Sequence, residues 1–172
     1  MSKIKNEGKN QEKDVQLVRG AIEQRAAWLG LMYEEAKKQG KDIEDIARKA
    51  IFKCGCVRGK GFESVMKDHS IQEFKKAWLN ENNTRFFEME IVEDTEDALR
   101  LYFHHCPLVS GWVKQGFSDE DIEVLCDIAM DGDRGMASPF QDEFTFELGK
   151  TIAQGNCVMF LQEGCLPVDK PT

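Results

Sequence analysis

The segment Tyr102-Phe103-His104-His105-Cys106-Pro107 sets two imidazoles beside a thiol. Histidine exchanges protons near neutral pH. A cationic imidazole next to a cysteine also lowers the thiol pKa and yields a thiolate nucleophile. Successive residues of a strand point to opposite faces. His104 and Cys106 are therefore expected on one face and His105 on the other. The plainer alternative is a buried thiol with a histidine bonded to backbone.

A second constellation joins Cys126-Asp127 to Asp131-Gly132-Asp133-Arg134-Gly135. Asp127 and Asp131 lie four apart and project from one helix face. Asp133-Arg134-Gly135 is expected just past the helix end, in a loop. There Arg134 has the fork geometry to hold a carboxylate. The alternative is a surface ion pair with a glycine stop. Cys126 falls on an apolar stripe and reads as structural. Cys54-Gly55-Cys56 has one residue between its thiols and no second pair, which argues against zinc. His69 precedes a helix cap and reads as exposed. Patterns of the GxGxxG, P-loop, HExxH or GxSxG type are absent, so nucleotide and protease readings with those signatures have no support.

The elements that carry these residues follow from periodicity. Val15, Val18, Ile22, Ala26, Leu29, Tyr33 and Ala36 recur at spacings of three and four and predict a helix, stopped by Gly40. Asp42 is expected to cap a second helix through Ile43, Ile46, Ala47, Ala50 and Ile51, running out near Cys54. Residues 55–61 hold three glycines and predict a loop. Ser70-Ile71-Gln72-Glu73 has the form of a capping box opening a short helix through Trp78. Phe87, Met89 and Ile91 then alternate with Glu88 and Glu90, and after an acidic turn Leu99, Leu101 and Phe103 alternate with Arg100, Tyr102 and His104. These predict an antiparallel hairpin, against a competing helix over 95–103. Pro107 ends the second strand, and a short helix through Val109 and Trp112 closes at Gly116. Ser118 caps a helix through Ile122, Leu125, Cys126, Ala129 and Met130, ending around Gly132. Alternation returns at 143–148 and from Cys157 to Leu161.

Helices and strand pairs are segregated, which predicts an α+β fold. A single domain is expected, with an antiparallel sheet of about four strands packed against several helices. Residues 1–13 are polar and read as a flexible N-terminal arm, 14–164 as the domain and 165–172 as a loose tail.

The chain has 172 residues and a formal net charge of −8. Such a surface repels phosphate backbones, so a nucleic-acid partner is not expected. No apolar run approaches the roughly 20 residues of a membrane span, and no secretory signal is visible. Six cysteines in such a chain point to free thiols in a reducing, cytoplasmic compartment.

Four blocks resemble the 2-aminothiazoline-4-carboxylate hydrolases. They are Arg25-Ala26-Ala27-Trp28-Leu29 through Ala36; His104 to Val109 with Trp112; Leu125 to Gly135; and the final strand after Gly155. The second and third are the specific ones. The resemblance implies a hydrolase that opens a thiazoline ring to a carbamoyl-cysteine product, a step in bacterial cysteine formation. On these residues, water or the Cys106 thiolate would attack the carbon between ring sulfur and nitrogen. His104 or His105 would move protons and Arg134 would hold the carboxylate. Asp127, Asp131 or Asp133 would orient the histidine or grip the amidine nitrogens. No metal or other cofactor is expected. The expected partner is a small-molecule substrate, and a homodimer is compatible with the chain. Three rivals stay open: a non-enzymatic small-molecule sensor, a metal-dependent hydrolase using the His/Cys/Asp cluster, and a structural or interaction protein.

Overall fold

The computed structural model describes residues 2–155 and 157–163; the expected tail at 165–172 lies outside them. Among the described residues six α-helices cover one antiparallel sheet, an α+β arrangement as the segregated patterns predicted. The helices are α1 (Lys13–Lys38), α2 (Glu44–Glu63), α3 (Ile71–Trp78), α4 (Glu81–Phe87), α5 (Pro107–Lys114) and α6 (Asp119–Ala137). The strands β1 (Met89–Asp94), β2 (Ala98–Phe103), β3 (Phe144–Leu148) and β4 (Cys157–Glu163) lie in the order β1-β2-β4-β3, every pairing antiparallel.

Local chemistry accounts for the boundaries. Ser118 Oγ accepts from the Asp121 N–H at 3.1 Å, and Ser70 Oγ from Glu73 at 3.3 Å, so both predicted caps form. Gly40 and Gly116 take positive φ just beyond α1 and α5, where a side chain would be strained. The β1–β2 hairpin replaces the competing helix because Leu99, Leu101 and Phe103 turn one face of β2 into the core. Helix α4 went unforeseen. Asn80 and Asn83 cap its start reciprocally, so Phe87 ends a helix instead of opening β1.

Two expectations of the helical layer are overturned. The glycine-rich stretch 55–61 is helical, because α2 runs on to Glu63. A Cβ on Gly55 would sit 2.1 Å from the Gly132 carbonyl oxygen, one on Gly59 2.3 Å from that of Met136, and one on Gly135 2.1 Å from that of Phe52. The glycines therefore let α2 and α6 approach backbone to backbone; they are not a turn signal. Gly132 does not end α6 either; the helix continues to Ala137.

The core lies between the sheet and the helices. Leu99, Leu101, Met159 and Leu161 meet Phe74, Trp78, Val109, Trp112, Leu125 and Phe140. Phe74, Phe140 and Phe144 form a ring cluster with centroids 5.2–5.7 Å apart. Helix α1 packs on α5, where Trp112 Nε1 donates to the Ala26 carbonyl at 2.8 Å and Gly111 admits the α1 backbone. Helix α2 packs on α6, and α5 touches α6, while α1 and α2 barely meet.

Candidate active site

Strand β2 stops at Phe103, so the alternation read through His104, His105 and Cys106 does not hold. His104 is exposed, and its Nε2 lies 2.7 Å from Glu90 Oε2 on the neighbouring strand. His105 is buried and turned toward the N-terminal arm, with Nδ1 3.2 Å from the Asn6 carbonyl oxygen. Burial, helped by the nearby Arg19 cation, pushes its pKa down and keeps it neutral. With its N–H on Nδ1, His105 donates to Asn6. The expected sharing of a face by His104 and Cys106 is therefore not found.

Cys106 occupies the N-cap position of α5, with Pro107 as the first helical residue. Burial pushes its thiol pKa up. The Val109 and Leu108 N–H groups pull the other way, favouring the thiolate without closing a full capping bond. Two charges also act on the sulfur: Asp133 raises its pKa and Arg25 lowers it.

Asp133 is half-buried on α6, two helical turns beyond Cys126. Desolvation raises its pKa to about 6, against the opposing pull of Arg58, Arg25 and Arg134. The thiol and this carboxyl are thus brought into one electrostatic neighbourhood, flanked by Arg25 from α1 and Arg58 from α2. Neither of those guanidiniums pairs with a carboxylate within bonding distance among the described residues. Arg58 instead lies over the Phe62 ring, 5.4 Å from its centroid. Arg25 and Arg58 were not singled out as site residues by sequence reasoning. One signal did exist for Asp133: it continues the helical spacing of the buried Ile122, Cys126 and Met130, where a carboxylate has no packing reason to be.

Asp127, Asp131 and Arg134 face elsewhere. Arg134 holds Asp131 at 2.7 Å and Asp127 at 2.8 Å. Arg48 of α2 holds the same two carboxylates at 3.0 and 2.7 Å, and Glu44 at 2.7 Å. Against the cost of burial, the bonds from Arg134 and Arg48 hold Asp127 below the usual carboxylate range. These residues clamp α2 to α6. Arg48, Asp127 and Arg134 line an open cleft of about 520 Å³ with Glu120, Glu123 and Thr151. Both guanidiniums there are already neutralised, which leaves little positive charge for a substrate carboxylate.

Cys54 is exposed, and Cys56 Sγ lies 3.4 Å from Ser138 Oγ. His69 is half-buried, with Nδ1 2.9 Å from Glu143 Oε1 and its ring against Phe140. Among the described residues no three His, Cys, Asp or Glu side chains are grouped to hold a metal ion. No helix of the described residues is long and apolar enough to cross a membrane.

The chain matches the sequence model of a family described as L-2-amino-thiazoline-4-carboxylic acid hydrolase over residues 19–158. Nothing among the curated proteins or the solved structures matches it.

Proposed function

This chain belongs to the L-2-amino-thiazoline-4-carboxylic acid hydrolase family, and on that premise we propose that it opens a small cyclic amidine bearing a carboxylate. Cys106 and Asp133 are the reacting pair, and Arg25 and Arg58 hold the carboxylate. The observation that carries this reading is the approach of a helix-terminal thiol and a carboxyl with pKa near 6 between two arginines that make no ion pair among the described residues.

The chemistry balances on these groups. Cys106 gives its proton to Asp133, and its sulfur attacks the carbon between ring sulfur and nitrogen. The ring carbon–sulfur bond breaks, and the departing sulfur takes the proton from Asp133. An isothiourea now joins Cys106 to the opened product. Water adds to the same carbon while Asp133 removes one of its protons; as the carbonyl forms, the second proton passes to the isothiourea nitrogen, the Cys106 sulfur leaves and takes back the proton from Asp133, and a carbamoyl-cysteine is released. An acid–base group with a pKa close to the working pH suits both steps. A bound amidinium would lower the thiol pKa that burial has raised. Proton transfer is assigned here to Asp133, because His104 faces solvent and His105 is bonded to the arm.

The raised thiol pKa favours one second route, in which Asp133 activates water directly and Cys106 only shapes the site. Incubation with 2-aminothiazoline-4-carboxylate tests the proposal: one new free thiol should appear per substrate consumed. Binding without thiol release would instead favour a sensor, and neither binding nor release would remove this substrate class.

A further inference from the structure

The N-terminal arm does more than precede α1. Asn6 Oδ1 accepts the Cys106 N–H at 2.7 Å, and Asn6 Nδ2 donates to the Cys106 carbonyl at 2.9 Å and to Ser110 Oγ at 2.9 Å. One side-chain amide thus spans both backbone groups of the cysteine, roughly 100 residues away in sequence, and the first turn of the helix it caps. The Asn6 carbonyl also accepts from His105. The arm is anchored on both sides of this contact. The Lys3 N–H donates to Asp119 at 2.8 Å, and the Asn10 N–H donates to Glu88 at 2.8 Å. Glu88 in turn holds the buried Arg19, which donates to the Asn10 carbonyl at 2.9 Å.

We infer that Asn6 is a positioning residue for Cys106, and that the arm is a strap fixing the cysteine backbone at the start of α5. The strand ends three residues before Cys106, so no sheet ladder holds its backbone. The Asn6 amide takes that place. Its role in turnover rests on the ring-opening reading above; its role in holding the sulfur does not.

The test is alkylation of the full-length protein by iodoacetamide as a function of pH, mapped cysteine by cysteine, with turnover measured alongside. In Asn6→Ala, Cys106 should swing toward solvent and label about tenfold faster at pH 8. The buried Cys126 should stay at its wild-type rate. Misplacement of the sulfur should lower kcat about a hundredfold. Asn6→Asp keeps the acceptor for the Cys106 N–H but loses both N–H donors, and should fall between. Ser110→Ala removes one bond and serves if Asn6→Ala does not fold; Cys106 labelling should then rise about twofold. Unchanged Cys106 labelling in these variants would overturn the inference, as would Cys126 labelling that rises in step with it. A selective change at Cys106 in a protein that turns over no thiazoline would support the strap while removing the ring-opening reading.

Discussion

The Asp133 carboxyl stands close enough to Cys106, across the α5–α6 contact, to push the thiol pKa upward while its own is raised to about 6. Desolvation disfavours the charged form of both groups, and the Asp133 charge adds to the rise at Cys106. That arrangement costs stability when both are unoccupied, and it is relieved by a cation placed between them. An amidinium is such a cation.

Asp133→Asn should therefore separate stability from activity. A folded pKa of about 6 against an ordinary 3.8 means that the folded state binds the extra proton between those values. Stability is lost as pH rises through that window, and the loss is complete above it. At pH 8 the variant should be more stable than wild type by on the order of 2–3 kcal/mol, with no gain below pH 3.8. Turnover should fall at least a hundredfold. Urea denaturation at pH 4 and pH 8 checks the first expectation. Equal destabilisation at both values would contradict it.

Arg25→Gln and Arg58→Gln should each raise KM about tenfold with a smaller change in kcat, because they hold the part of the substrate that does not react. An amidine lacking the carboxylate should be indifferent to both changes. Arg134→Gln should behave otherwise. It strips partners from Asp127 and Asp131, so thermal stability falls while KM for the carboxylate substrate stays near wild type. A KM increase confined to Arg134→Gln would move the site to the Arg48 cleft.

His105 predicts an acid limit on stability. Its folded pKa is depressed, so the unfolded chain takes up a proton first as pH falls below about 6.5, and stability declines from there. His105→Gln should flatten the pH dependence of the urea midpoint between pH 5 and 7. An unaltered slope would show that the imidazole is not held neutral under the arm.

Two glycines of α2 should respond in opposite directions. Gly55→Ala drives a methyl into the Gly132 carbonyl and should cost about 3 kcal/mol as the helices separate. Gly61→Ala meets nothing within 4 Å and should gain about 0.5–1 kcal/mol from helix propensity. Similar effects at both positions would contradict the close α2–α6 approach.

Much of the fold was legible because its signals are local. Ser70 and Ser118 cap the helices they were expected to open, although the Glu73 carboxylate turns to the Lys67 N–H and Lys76 instead of closing a box on Ser70, and the alternation of Leu99, Leu101 and Phe103 marked a half-buried strand. The errors arose where a residue's meaning depends on a partner distant in sequence. Gly55 and Gly59 read as a loop until the α6 backbone at Gly132 and Met136 stands opposite them; the four-residue spacing of the pair was the available clue. Ending α6 at Gly132 put Asp133 and Arg134 in one loop, whereas the helix sends Arg134 to a clamp with Arg48 and Asp133 toward the thiol. Asn6 carried no signal at all, since a lone asparagine in a polar arm says nothing of a cysteine that tertiary folding brings beside it.

Attack on the ring by the Cys106 sulfur leaves a mass on the protein. Intact-protein mass measurement during a single turnover of 2-aminothiazoline-4-carboxylate should show a transient adduct with the mass of one substrate, mapping to Cys106 and absent from Cys106→Ser and Cys106→Ala, both of which lose turnover. Full ring opening by both variants, with no adduct on the wild type, would contradict it and leave Asp133 and water as the reacting pair.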